Sequence, residues 1–119
     1  PPPAGLMPGL TNRLPHYPTG DSLFYRMSRL HFDDDRFGEL IDWAESAKPR
    51  VQEITGLVFA DIARTGPGEG MILAGYESEE DYESARSTVA DLFEEMAPNL
   101  KDRPHTHAGS SAFSFIDRG

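Results

Sequence analysis

The stretch Gly70–Pro98, GMILAGYESEEDYESARSTVADLFEEMAP, decides the fold, because it joins a short apolar strand to a capped amphipathic helix. Met71, Ile72, Leu73 and Ala74 form an uninterrupted apolar run of strand length, the composition of a strand covered on both faces. Ser78 is a good N-cap, and Glu79, Glu80 and Asp81 fill the first turn, where carboxylates meet the positive end of the helix. Asp81 is also placed to close an approximate capping box. Tyr82, Ala85, Val89, Leu92, Phe93 and Met96 then recur at helical spacing until Pro98 makes continuation costly. That face has to bury against something. Nothing in the unit is a catalytic signature, so it speaks for architecture before chemistry.

Working outward, the segment Leu57–Ala63, LVFADIA, is a strand, and TGPGEG after it is a glycine-proline turn, so residues 57–76 read as a β-hairpin. Those glycines are too irregularly spaced for a phosphate-binding loop. Upstream, residues 22–32, SLFYRMSRLHF, have the length and composition of another strand. Alternation gives it one face with Leu23, Tyr25, Met27, Arg29 and His31, and another with Phe24, Arg26, Ser28, Leu30 and Phe32. Both faces mix large apolar groups with cations, which suggests that each packs on protein and that at least one meets a polar cavity. The plainer alternative is that the arginines snorkel to the strand's rims.

Asp33, Asp34 and Asp35 supply an N-cap and first-turn charges for a first helix, whose apolar stripe is Phe37, Leu40, Ile41, Ala44 and Ala47 and which should end at Lys48–Pro49. Trp43 lies off that stripe, as a rim residue or as an anchor for a ligand or partner. The last strand is expected in SSAFSFI, residues 110–116, after Arg103–Gly109. Residues 1–21 carry six of the ten prolines and form a Pro/Gly-rich arm, leaving 22–119 as a single domain. His16 and Tyr17 are too isolated to interpret.

The order strand, helix, strand, strand, helix, strand folds by right-handed crossovers into an α+β, ferredoxin-like βαββαβ sandwich. Its antiparallel sheet has the order 4-1-3-2, with both helices on one face and the other face uncovered. The net charge of -9, from 20 acids and 11 bases, argues against nucleic acid or an anionic membrane as the main partner. With no cysteine, disulfides and thiolate chemistry are excluded. No apolar run approaches the ~18 residues of a membrane span. A soluble, cytoplasmic protein is expected.

The passage Gly56–Ala85, GLVFADIARTGPGEGMILAGYESEEDYESA, resembles the hairpin and second-helix start of the dimeric α+β barrel superfamily, which includes the antibiotic biosynthesis monooxygenase-like domains. Tyr76-Glu77-Ser78-Glu79-Glu80 follows the pattern of such domains, in which a strand ends on an aromatic residue before an acid, a serine and further acids. The resemblance implies a homodimer with two sheets packed face to face, covering the open face. It also implies a small-molecule enzyme or binding protein, such as a cofactor-free oxidase of a phenolic or polycyclic substrate. The second helix contains no histidine, which sets the chain apart from the haem-degrading branch.

Tyr25, Arg29 and His31 share one strand face and are the candidate catalytic residues, with His31 or a neighbour as base, if that face looks into a cavity between sheet and helices. A second possibility is a site at the sheet edge. Strand four should run antiparallel to strand one, bringing His105 and His107 near His31, and Glu77, at the end of a strand three read here as parallel to strand one, is expected at the same edge. His31, His105, His107 and Glu77 would suit a divalent metal. Three classes are thus carried forward: a cofactor-free monooxygenase-like enzyme, a non-catalytic dimeric binding module, and a metal-dependent enzyme.

Overall fold

The computed structural model describes residues 23–116; the arm at 1–21 lies outside them. In chain order the elements are β1 (Phe24–His31), α1 (Phe37–Gln52), β2 (Leu57–Gly66), β3 (Glu69–Tyr76), α2 (Glu79–Met96) and β4 (His105–Ser110), with single 3-10 turns at Asp34–Arg36 and Ala97–Asn99. The four strands form one sheet in the order β2-β3-β1-β4, every neighbouring pair antiparallel. This is the ferredoxin-like βαββαβ arrangement expected from the element order.

Helix α2 starts where its sequence directs. Ser78 is extended, and its Oγ accepts a bond from the Asp81 backbone N at 3.1 Å while donating to Asp81 Oδ2 at the same distance. The approach of α2 to the loop before β2 is close: Gly56 has φ 79°, and a Cβ there would fall 2.3 Å from the Asp81 carboxyl carbon. The apolar stripe then buries Ala85, Leu92 and Met96 against the sheet.

The first helix departs from its expected ends. Asp33 makes no capping bond. Asp34 instead turns outward to the hairpin, accepting from the Gly68 backbone N at 2.9 Å and from Arg64 Nη2. Those two donors hold its carboxyl below the usual range, the Arg64 bond being the larger cause. At the other end α1 runs through Pro49 to Gln52. Proline leaves the carbonyl of Glu45 without its helical donor, but both residues are exposed, so water can replace the bond, and the continued turn places Val51 on the inner side.

Strand β4 begins at His105 and ends at Ser110, earlier than the SSAFSFI reading placed it. Its partner explains the shift. β1 begins at Phe24, which pairs with Ser110, and the ladder finishes with Ser111 N donating to Leu23 O at 2.8 Å. Beyond Leu23 the described chain offers no further partner, and Phe113, Phe115 and Ile116 are left exposed.

The core lies between one sheet face and the two helices, in two clusters. Leu30, Phe32, Leu40, Ile72 and Met96 form one; Phe24, Ala74, Tyr76 and Ala85 form the other. Along β1 the two are separated by Arg26 and Ser28, both buried. Ser28 is satisfied by Thr106 Oγ1 on β4 at 2.9 Å. Arg26 is not satisfied in this way.

Candidate functional site

Alternation along β1 places Phe24, Arg26, Ser28 and Leu30 under the helices and sends Tyr25, Met27, Arg29 and His31 to the opposite face. Between the helix-covered face, α1 and α2 lies a cavity of about 710 Å³, within the roughly 300–1,000 Å³ range of small-molecule sites. Ile41, Ala44, Trp43 and Val51 line it from α1, Leu57 and Ile62 from β2, Ile72 from β3 and Phe93 from α2. Its walls are chiefly aliphatic and aromatic, and no histidine is among the described lining residues.

At the inner wall stands Arg26. Arg26 also borders a second cavity of about 160 Å³, lined by Tyr76, Tyr82, Arg86, Phe93 and Thr106 among others, so the one residue stands between the two spaces. Arg26 is only 7% exposed. Nη2 donates to the Tyr76 hydroxyl at 3.2 Å, whereas Nε and Nη1 are buried with no partner among the described residues. The guanidinium carbon lies 5.4 Å from the Phe93 ring centre and 6.0 Å from that of Tyr76. Each such cation–π contact contributes about 0.5–2 kcal/mol, against a desolvation cost of several kcal/mol for a buried ion. The rings therefore offset only part of the cost of keeping this cation inside.

Beside the cavity, α1 and α2 are tied together by charge. Glu95 on α2 accepts from Arg50 of α1 through both oxygens, at 2.6 and 2.7 Å, and from Trp43 Nε1 at 3.4 Å. The Arg50 bonds, with the Trp43 bond second, pull the Glu95 carboxyl down to about 2. Trp43 is therefore a rim residue that packs on the core cluster and lines the cavity.

The residues singled out in the sequence as catalytic are elsewhere. Tyr25, Arg29 and His31 lie across the sheet from the cavity, on the face the helices do not cover. The Tyr25 ring is 6.5 Å from that of Phe59, which closes over Gly75 on that same side. Both faces of β1 carry an arginine amid apolar groups, and the helices chose the one with Phe24, Leu30 and Phe32.

The expected metal cluster is partly assembled and then fails. His105 pairs with Arg29 and His107 with Met27, so both project on the same face as His31, with His105 diagonally next to it. His31 Nδ1 is 3.3 Å from Asp102 Oδ1. Glu77, however, follows Tyr76, which pairs with Phe24 at the far end of β1. β3 runs against β1, so its end cannot meet the end of β1. Among the described residues no three His, Cys, Asp or Glu side chains are grouped as they would be to hold a metal ion, and the expected place of Glu77 beside the histidines is corrected.

Arg26 was the residue missed, although a signal existed: a cation two residues after Phe24 and four before Leu30, on the more aromatic face of the strand.

Comparison with solved structures bears on the same architecture. The chain is similar to a monooxygenase of Streptomyces coelicolor in complex with the ligand nanaomycin D, at 18% identity over 81% of this chain and 93% of that one, with TM-score 0.68. The chain has the fold of the antibiotic biosynthesis monooxygenase-like, ferredoxin-like proteins. A dimeric ferredoxin-like protein from an uncultured marine organism matches at 14% identity, covering 82% and 94% of the two chains, TM-score 0.65. A Nitrosomonas europaea protein of unknown function matches at 17%, covering 84% and 99%, TM-score 0.67. No protein-family model matches, and neither does any curated protein. At such identities the likeness is one of fold. Among the described residues no helix is long and apolar enough to cross a membrane.

Proposed function

We propose that this chain is a cytoplasmic small-molecule enzyme or binding protein of monooxygenase-like type, whose ligand occupies the sheet–helix cavity and which works as a homodimer without a bound cofactor. The observation that carries the reading is the 710 Å³ cavity with its apolar walls and one buried cation. The nanaomycin D complex of the Streptomyces coelicolor monooxygenase supports a polycyclic ligand. A dimer is supported by the dimeric ferredoxin-like neighbour and by the apolar groups of the open face, where Met27 and Phe59 are exposed beside Tyr25, Met71 and Leu73.

In the oxidative form of this reading, an activated ring carbon loses a proton and the resulting carbanion passes its electrons to O2. One oxygen atom stays as a carbonyl; the other leaves as water with the two hydrogens that the carbon carried. No further reductant is needed. The absence of histidine from the described cavity wall favours a second reading, a binding module that holds the same ligand without turning it over.

The chain has a single tryptophan, Trp43, on the cavity rim, so its fluorescence reports binding. Quenching by nanaomycin D, together with oxygen uptake in the presence of the oxidisable hydroxyanthrone dithranol, is the outcome for an enzyme. Quenching without oxygen uptake identifies the binding module. No response to either compound removes both readings.

A further inference from the structure

We propose that the cavity is an anion site: its ligand carries an ionised oxygen, a carboxylate or a phenolate, on a ring-sized apolar body, and seats that oxygen on Arg26. The inference rests on the reading of the cavity as a small-molecule site and specifies which molecules it accepts.

Arginine cannot escape burial by giving up its proton, so a buried guanidinium has to be met by acceptors. The chain has 20 carboxylates and pairs four of its six other described arginines with them: Arg36 meets Glu39, Arg50 meets Glu95, Arg64 meets Asp34 and Arg86 meets Glu83, while Arg29 and Arg103 are exposed to water. Arg26, the most buried of the described arginines, is given none of the described carboxylates. It receives a phenol and two ring faces, and Nε and Nη1 keep three buried N–H groups with no partner among the described residues, on a residue that borders both cavities. Its one acceptor among the described residues, the Tyr76 hydroxyl, still has its own proton to donate to the ligand oxygen.

Geometry then orders the ligand. Arg26 borders both cavities, with the larger one extending from it between Ile41, Val51 and Leu57. An oxyanion at the guanidinium therefore leaves the apolar body along those side chains. A charge-assisted fork is shorter and stronger than any neutral bond the site offers, and low local polarity strengthens it further.

The test uses matched naphthalene probes at neutral pH, titrated into the full chain by calorimetry. Naphthoate is compared with naphthamide, and dinitronaphthol, ionised under these conditions, with neutral naphthol. The wild type should bind the charged member of at least one pair about tenfold more tightly or better, as expected for a hydrogen bond to a charged group. Which pair discriminates distinguishes a carboxylate from a phenolate. Arg26→Met should lose that preference while keeping its affinity for the neutral probe, and Arg26→Lys should restore part of it. Neutral probes bound as tightly as charged ones would overturn the anion claim and leave the cavity reading standing. No binding of any probe by the wild type would remove the cavity reading itself, and this proposal with it. Should Arg26→Met fail to fold, the wild-type pairs and Arg26→Lys decide the question.

Discussion

The two faces of β1 are built from alternate residues of the same eight, yet they have opposite fates. On one, Phe24, Arg26, Ser28 and Leu30 are buried beneath α1 and α2; on the other, Tyr25 and His31 are half-buried and Met27 and Arg29 are open to solvent. The covered face holds both the core clusters and the cavity. The open face holds a band of apolar groups at its centre and three histidines toward one end. On the proposed reading the ligand belongs to the first face and association to the second.

The largest effect is expected at Leu30, which is fully buried in the core cluster. Leu30→Ala should cost about 2–5 kcal/mol of unfolding free energy in a urea titration, a cavity-forming loss. Leu30→Ala costing less than Met27→Ala, its counterpart on the open face, would reverse the assignment of the two faces.

Next comes assembly. Light scattering at micromolar concentration should give twice the chain mass, and Met27→Asp should return the mass to that of one chain with an unchanged circular dichroism spectrum. A wild-type monomer would contradict the proposed role of the open face.

A smaller and opposite change is expected at Arg26. Replacing an incompletely paired buried ion by an apolar side chain of similar volume is often neutral or stabilising by about 1–4 kcal/mol. Arg26→Met should therefore leave the urea midpoint unchanged or raise it. A clear fall would make Arg26 a structural residue held by Phe93 and Tyr76.

The smallest effect is at the rim. The Glu95 carboxyl is depressed to about 2, so its bonds to Arg50 and Trp43 contribute stability that is fully present above the unfolded value of 4.5 and is lost as pH falls toward about 2. Glu95→Gln should lower stability slightly near neutrality, where the bonds are intact, and flatten its fall within that acid window, so that the two proteins converge as pH approaches about 2. Because the pair is exposed, the difference should also shrink in high salt.

How far the sequence reaches can be seen at particular residues. The capped helix at Ser78 and the hairpin at 57–76 are local signals, spelled out by side chains that bond within a few positions, and from them the strand order follows. Which face of β1 meets the helices is not local. Alternation sorts residues into two sets but does not say which set is covered, and here each set has an arginine and several apolar groups. That ambiguity placed Tyr25, Arg29 and His31 at a cavity that belongs to Arg26. Glu77 was misplaced for a different reason, a strand direction: β3 is antiparallel to β1, so its end lies opposite Phe24. For β4 the composition of SSAFSFI favours a strand, but pairing stops where β1 begins.

The central claim is that the helix-covered face, and not the open one, receives the ligand. A crystal structure of the full chain soaked with nanaomycin D tests it most directly. Ring density is expected between β2 and α1, against Val51 and Leu57, with an oxygen at the Arg26 guanidinium. Density for the ligand on the open face, against Tyr25 and His31 with the cavity untouched, would contradict it.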